Sequence, residues 1–287
     1  MLLSRELLQT VADIAVRAGQ QILEVYHRPG KLAISDKTDN SPLTEADTRA
    51  HHLIVDELAK IAPQLPVLSE ESALVSYSER SQWSEYWLVD PLDGTKEFIS
   101  GNGEFTVNIA LIRNGQPVLG VVHVPALACT YLGISDGEQQ SAWYAAQGLD
   151  WRRIGAARLP ASKQWSRYLL KVVASRRHGA DELDMMLAQW KKLFAGLELL
   201  NMGSSLKICL LAEGRADIYP RLAPTSEWDT AAAHAVLRAA GGDMVDSALA
   251  PLLYNQKDSV LNPSFFAIAD VPKFLAVLRQ HQTQNAN

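Results

Sequence analysis

Two cysteines in 287 residues, Cys129 and Cys209, are too few for a disulfide framework. Both sit in apolar runs, which reads as reduced core thiols in a cytoplasmic chain. No run approaches the roughly 20 apolar residues that cross a bilayer. Leu2-Leu3-Ser4-Arg5-Glu6 opens an amphipathic helix rather than a signal peptide. Basic excess is missing as well: 27 Lys and Arg against 32 Asp and Glu leave a formal charge of −5. That excludes a broad nucleic-acid footprint while leaving room for a local basic pocket, so the partner is expected to be a small molecule. Internal repeats and low-complexity segments are absent, and nothing both amphipathic and basic supports binding to a membrane surface.

What is present is ordinary for a globular enzyme: 47% hydrophobic and 21% charged, in a chain long enough for one large core or two packed lobes. Leu7, Leu8, Val11, Ile14, Ala15, Ala18, Ile22 and Val25 recur at helical spacing through residues 3–26. A second helix is expected from Pro42, with Asp47 in its first turn. The β-rich runs 105–112 and 117–124 flank Asn114-Gly115, a hairpin signal, and residues 129–134 and 141–145 continue the meander. The polar stretch 150–160 divides an N-terminal lobe, 1–155, from a C-terminal lobe, 156–287. The second lobe alternates strands near 171–174, 197–200, 217–219 and 265–269 with helices over 181–194, 204–212, 230–240 and after Pro272. This pattern is α+β.

Acids gather where strands end. Asp90-Pro91-Leu92-Asp93-Gly94-Thr95 follows the apolar Trp87-Leu88-Val89, where a strand gives way to a tight turn: Pro91 keeps Asp90 extended and Gly94 permits a positive φ. Val67-Leu68-Ser69 likewise ends in Glu70-Glu71, and Trp228-Asp229-Thr230-Ala231-Ala232 puts an Asp at the mouth of an Ala-rich helix. Each has a plain alternative: a surface turn for the Asp-Pro motif, a dipole-favoured position for Asp47, a helix N-cap for Thr95.

Taken together, the three acidic motifs resemble the signature of the inositol monophosphatase superfamily, magnesium-dependent and lithium-sensitive phosphatases, and the resemblance covers nearly the whole chain. Asn40-Ser41-Pro42-Leu43-Thr44-Glu45-Ala46-Asp47, Thr95-Lys96-Glu97-Phe98-Ile99, Gly203-Ser204-Ser205-Leu206-Lys207 and Tyr219-Pro220-Arg221 are similar to its CysQ branch, the 3′(2′),5′-bisphosphate nucleotidases. The resemblance implies a layered αβαβα sugar-phosphatase fold and two to three Mg2+ ions. Glu70, Asp90 and the Leu92 carbonyl would hold one ion, Asp90, Asp93 and Asp229 a second, and a third, weaker site would lie near Glu70. It makes residues 37–42 an active-site flap and Asp47 and Thr95 the dyad that orients the attacking water, with Glu70 beside them in the catalytic set.

Five acids brought into one cleft would repel strongly, so either some stay protonated or hard cations neutralise them, the more economical answer; a set of oxygen donors with no Cys and no convincing His cluster favours magnesium over zinc. Neither Cys fits a phosphatase loop, so no side-chain nucleophile is expected. The scissile phosphate would rest on the metal-site residues and on amides at Gly94 and Thr95. Ser175, His178, Lys207, Arg221 and the Gly203-Ser204-Ser205 turn are candidates for the rest of a nucleotide, with Arg176 and Arg177 nearby; any such cation is otherwise a solvated surface charge. The implied substrate is adenosine 3′,5′-bisphosphate, with 3′-phosphoadenylyl sulfate as a second and a role in sulfur assimilation. The alternatives are an inositol or sugar monophosphatase sharing the metal ligands and a non-catalytic magnesium or nucleotide sensor lacking the Asp47 and Thr95 pair.

Overall fold

A computed structural model describes residues 2–28, 42–146, 150–174 and 181–285. In chain order the first half is α1 (Arg5–Tyr26), α2 (Pro42–Ile61), β1 (Val67–Ser69), α3 (Tyr77–Arg80), β2 (Glu85–Asp93), α4 (Thr95–Ser100), β3 (Thr106–Arg113), β4 (Gln116–Val124), β5 (Cys129–Ser135), β6 (Gln140–Ala146) and β7 (Arg152–Ile154). The second half is β8 (Leu169–Ala174), α5 (Asp181–Leu193), β9 (Gly196–Asn201), α6 (Leu206–Ala212), β10 (Ile218–Arg221), α7 (Ala231–Ala239), β11 (Asp243–Asp246), β12 (Phe265–Ile268) and α8 (Val271–Asn285).

Two sheets form. The first runs β1 to β7 in sequence order, antiparallel except for the parallel β1–β2 pair. The second has the order β11-β12-β10-β8-β9 and is mixed. Strand parity assigns the faces. From β2, Trp87 and Val89 join the core under α1 and α2, while Tyr86 and Leu88 join a middle core with residues of α6 and α7. From the second sheet, Val173, Tyr219 and Phe265 enter that middle core, and Val172, Ile218 and Phe266 face Trp190 and Phe274 of α5 and α8. The layers are therefore helix, sheet, helix, sheet, helix, the αβαβα arrangement expected from the resemblance. A first sheet buried on both faces explains why β3 is buried along almost its whole length.

The helix α7 sits very close to the first sheet. A Cβ on Gly120 would stand 2.2 Å from the Ala232 carbonyl oxygen, and one on Gly133 2.5 Å from Val236 Cα. Glycines on β4 and β5 against alanines on α7 let backbone approach backbone, which sets the depth at which the helix, and the acid just before it, can sit.

The Asn114-Gly115 hairpin forms with φ of 49° and 75°. Cys129 and Cys209 are buried free thiols. Three details differ from the sequence reading. β7 lies inside the stretch read as a connection, paired through Ile154, Arg153 and Arg152 to β6. β11 is an additional short strand, paired to β12 just after Gly241-Gly242. Helix α2 starts at Pro42, which puts Glu45 in the first turn and Asp47 one turn deeper, where it is 1% exposed. A helix-dipole explanation does not account for a carboxylate buried there. Of the expected flap over 37–42, only Pro42 belongs to the described residues.

The close approach is testable. Gly133→Ala should lower the stability measured by urea unfolding by about 1–3 kcal/mol, because the Val236 backbone cannot move aside. Gly155→Ala, whose Cβ would meet only the Ala240 oxygen at 3.8 Å, should stay within about 0.5 kcal/mol of the parent.

Candidate active site

The acidic motif is a bulge rather than a turn. Strand β2 runs through Asp93, and its pairing with β3 shifts register between Asp90 and Asp93, with Asp90 opposite Asn108 and Asp93 opposite Thr106. The bulge accommodates Pro91, which has no ladder donor, and re-aims the side chains around it. Asp90 keeps the parity of Tyr86 and Leu88 and is 1% exposed; its Oδ1 accepts from the Leu92 amide at 3.0 Å. The reversal comes at Gly94, φ 99°, which occupies the N-cap of α4. Thr95 is thus the first residue of that helix and not its cap.

Asp90 is the electrostatic centre. Burial holds its carboxyl well above the usual range, and Glu70, Asp93, Asp229 and Asp47 each push it further. All five expected acids converge there, from α2, the end of β1, β2 and the start of α7. Glu70 is held at the strand end by its amide on the Val89 carbonyl, 3.1 Å. Asp93 is pushed up to about 7 by burial and then by Asp229, against the opposing charge of Lys207 and the Ser205 amide. Asp229 is raised by burial, opposed by Thr225, Ser226, Arg221 and Lys207.

Protein donors meet Asp93 and Asp229 on one oxygen each. Asp93 Oδ2 accepts from Ser205 N at 2.7 Å and from Thr106 Oγ1 and Asn108 Nδ2 at 3.4 Å. Asp229 Oδ2 accepts from Thr225 Oγ1 and from Ser226 N at 2.9 Å, so this acid ties down the preceding loop rather than capping α7. Ser205 joins the two: its amide serves Asp93 and its hydroxyl donates to the Asp229 carbonyl while accepting from Asn108 Nδ2 at 3.0 Å.

A cleft of about 410 Å³ opens over this group, lined by Glu70, Asp90, Leu92, Asp93 and Asp229, by Gly94 and Thr95, and by Ser204, Ser205, Lys207 and Arg221. Lys207 is half-buried, its pKa lowered mainly by desolvation, and its Nζ donates to Ser204 O at 3.1 Å. Arg221 braces the loop that carries Thr225 and Ser226, donating from Nε to Ala223 O at 3.0 Å and from Nη2 to Pro224 O at 2.9 Å. Ser204 takes φ 40°, and its buried hydroxyl has no hydrogen-bond partner. Gly203 stands behind the cleft: its amide bonds Glu104 Oε2 at 2.7 Å, and a Cβ there would come within 2.5 Å of Glu97 Cγ. Ser175 and His178, with Arg176 and Arg177, lie outside the described residues.

Several lining residues were not singled out from sequence: Ile208, Thr225, Ser226 and Phe265; Glu97 and Tyr219 were quoted only as parts of family motifs, and Tyr219 packs edge to face on Phe265 at 6.0 Å. Thr106 and Asn108 do carry a signal, since two polar residues at alternate positions of an apolar strand mark one face turned to something polar.

The donor set is hard and anionic and suits a divalent cation such as magnesium. Among the described residues no three His, Cys, Asp or Glu side chains are grouped so as to hold an ion. Asp93 and Asp229 rest instead on protein donors. A buried acid with a raised pKa contributes its full stability below the unfolded value near 3.9 and loses it as pH rises through the folded value. Divalent-free protein should therefore lose melting temperature between pH 5 and pH 8. Asp93→Asn should melt higher than the parent at pH 8 by about 2 °C or more, with a smaller gap at pH 5. Equal gaps at both values would contradict the repulsion.

The model of the Inositol monophosphatase family matches residues 4–283. A Salmonella typhimurium protein named 3′(2′),5′-bisphosphate nucleotidase CysQ is 45% identical over 259 residues, covering 90% of this chain and 98% of that one. The Haemophilus influenzae protein of the same name is 35% identical over 269 residues, 93% and 94% of the two chains. The crystal structure of CysQ from Bacteroides thetaiotaomicron superposes with a TM-score of 0.81 at 42% identity, over 94% of this chain and 99% of that one. An inositol monophosphatase from Zymomonas mobilis, at 24% identity and TM-score 0.72, shares the fold. The chain belongs to the inositol monophosphatase family, in its CysQ branch.

Proposed function

We propose that this protein is a magnesium-dependent phosphatase that removes the 3′-phosphate of adenosine 3′,5′-bisphosphate, giving AMP and phosphate, and acts likewise on 3′-phosphoadenylyl sulfate. The observation that carries the reading is one cleft lined by Glu70, Asp90, Asp93 and Asp229, with the charge of buried Asp47 also felt at Asp90, while Lys207 and Arg221 face the same space. The names borne by relatives at 35–45% identity supply the substrate class.

Phosphate monoesters resist hydrolysis so strongly that the site has to remove on the order of 20 kcal/mol of barrier. Glu70, Asp90 and the Leu92 carbonyl would hold one magnesium ion, and Asp90, Asp93 and Asp229 another. When bound, the ions supply positive charge to the phosphate and the departing oxygen and lower the pKa of a water. The rest falls to the chain. The Gly94 turn and the first amides of α4 present N–H groups to the scissile phosphate. Thr95 accepts a hydrogen bond from the attacking water and passes proton density toward Asp47, as the water oxygen bonds phosphorus and the bond to the 3′ oxygen breaks. Helix α2, which carries Asp47, packs against α4, which begins with Thr95.

Lys207 and Arg221 would compensate the second phosphate, with Tyr219 and Phe265 as an apolar wall for the nucleoside. Binding energy from that remote end can be used in the transition state, so a substrate lacking it should lose kcat/KM. Clearance of a by-product of sulfate activation is the corresponding role in sulfur metabolism.

Purified protein with magnesium should hydrolyse adenosine 3′,5′-bisphosphate in clear preference to inositol 1-phosphate and AMP, and equal efficiency on inositol 1-phosphate would overturn the substrate assignment. Asp93→Asn and Asp229→Asn should each lower turnover by about a hundredfold with the fold intact by circular dichroism. Arg221→Ala should cost about 1.5–3 kcal/mol in kcat/KM with the bisphosphate and much less with a small monophosphate.

A further inference from the structure

The segment 225–230, which delivers Asp229 to the cleft, is held from behind by the loop 254–262. Glu227 N donates to Val260 O at 2.8 Å and Asn262 N to Thr225 O at 2.9 Å. Asn262 Nδ2 donates to Ser226 O at 2.9 Å and to Thr230 Oγ1 at 3.0 Å. Thr225 and Ser226 are the residues whose hydroxyl and amide donate to Asp229 Oδ2. The loop therefore fixes the donors that fix the acid.

Asn255 joins this loop to the far side of the molecule. It is buried and takes φ 57°, a left-handed conformation that glycine adopts freely and asparagine tolerates. Its amide donates to both carboxyl oxygens of the buried Glu227, at 3.0 and 2.9 Å, two residues before Asp229. Its side chain serves Arg80 instead: Oδ1 accepts from Arg80 Nη1, and Nδ2 donates to the Arg80 carbonyl at 2.6 Å. Arg80 Nη2 donates to Asp258 O in the same loop, and its Cζ lies 5.0 Å from the centre of the Tyr77 ring. Arg80 ends α3, is 0% exposed and does not line the catalytic cleft. Taking a guanidinium wholly out of water is costly, and here both terminal nitrogens go to one loop in the planar fork that only arginine offers. A glycine at 255 would relieve the backbone but could not make the two side-chain bonds to Arg80.

We propose that Arg80 is a positioning residue for Asp229, acting through Asn255 and Glu227: it sets the loop that sets the acid, and so governs how tightly the cleft holds its divalent cation. This rests on the ligand role given to Asp229 above. The fork of Arg80 does for the Asp229 carboxylate what outer hydrogen-bond partners do for metal ligands in general, at a remove of two residues.

The test is calorimetric titration of magnesium into the full chain, followed by kinetics. Arg80→Lys replaces the fork with a point charge, and Asn255→Gly keeps the left-handed backbone and the amide on Glu227 while dropping both side-chain bonds. Each should raise the magnesium Kd by about tenfold or more. The KM for adenosine 3′,5′-bisphosphate at saturating magnesium should stay within about threefold, since Lys207 and Arg221 are untouched. Lys257→Ala, exposed on the same loop, should leave the magnesium Kd unchanged. Phe274→Leu, in the core against α8, should lower stability to urea and also leave the Kd unchanged. Magnesium binding by both Arg80→Lys and Asn255→Gly within about twofold of the parent would overturn the inference. Equal weakening in Phe274→Leu would overturn it too, because lost stability would then be the cause. A parent that binds magnesium but does not hydrolyse the bisphosphate contradicts the proposed function alone, and the calorimetric comparison still decides the role of Arg80; a parent that binds no magnesium overturns both.

Discussion

Mutual repulsion among buried carboxylates is the constraint around which this molecule is arranged. Asp90 is buried and feels four other acids, each raising its pKa beyond what burial does. Lys207 and Arg221 oppose the repulsion at Asp93 and Asp229 from the far side of the cleft, and Lys207 is itself disfavoured by burial. A site of this kind is held at a cost to the unliganded fold and repaid when a cation enters.

The rest of the architecture keeps those acids from drifting apart. The first sheet, buried on both faces, supplies rigid strand ends for Glu70, Asp90 and Asp93, and the glycines of β4 and β5 let α7 come down onto it so that Asp229 arrives beside them. Ser205 and Asn108 then link Asp93 to Asp229 across the middle layer. Helix and strand thus act on the chemistry through distance: a helix lifted by a single methyl group would move one acid out of the cluster.

Much of this was legible in the sequence because it lies in short, chemically unusual strings. Asp90-Pro91-Leu92-Asp93-Gly94-Thr95 announces itself, and the Asn114-Gly115 hairpin and the periodicity of α1 are equally plain. The bulge within β2 was not, since Pro and Gly mark a turn as readily as a bulge and only pairing with β3 decides between them. Nor was the depth of Asp47: α2 begins at Pro42 as expected, but the residue falls beyond its first turn and is buried by packing that local pattern does not show. β7 and β11 are three and four residues long and exist because a neighbouring strand offers partners. Ser205 was read as a substrate contact; its amide also bonds the Asp93 carboxylate and its hydroxyl the Asp229 backbone carbonyl, the first a relation across 112 residues of sequence that local pattern does not carry.

The most direct measurement is calorimetric titration of magnesium into the protein at pH 7 in two buffers of different ionisation enthalpy. If raised carboxylates form the ion site, binding displaces protons, so the observed heat should differ between buffers in proportion to the protons released, and less so in Asp93→Asn. Binding with no proton release, or no binding at millimolar magnesium, would contradict the account.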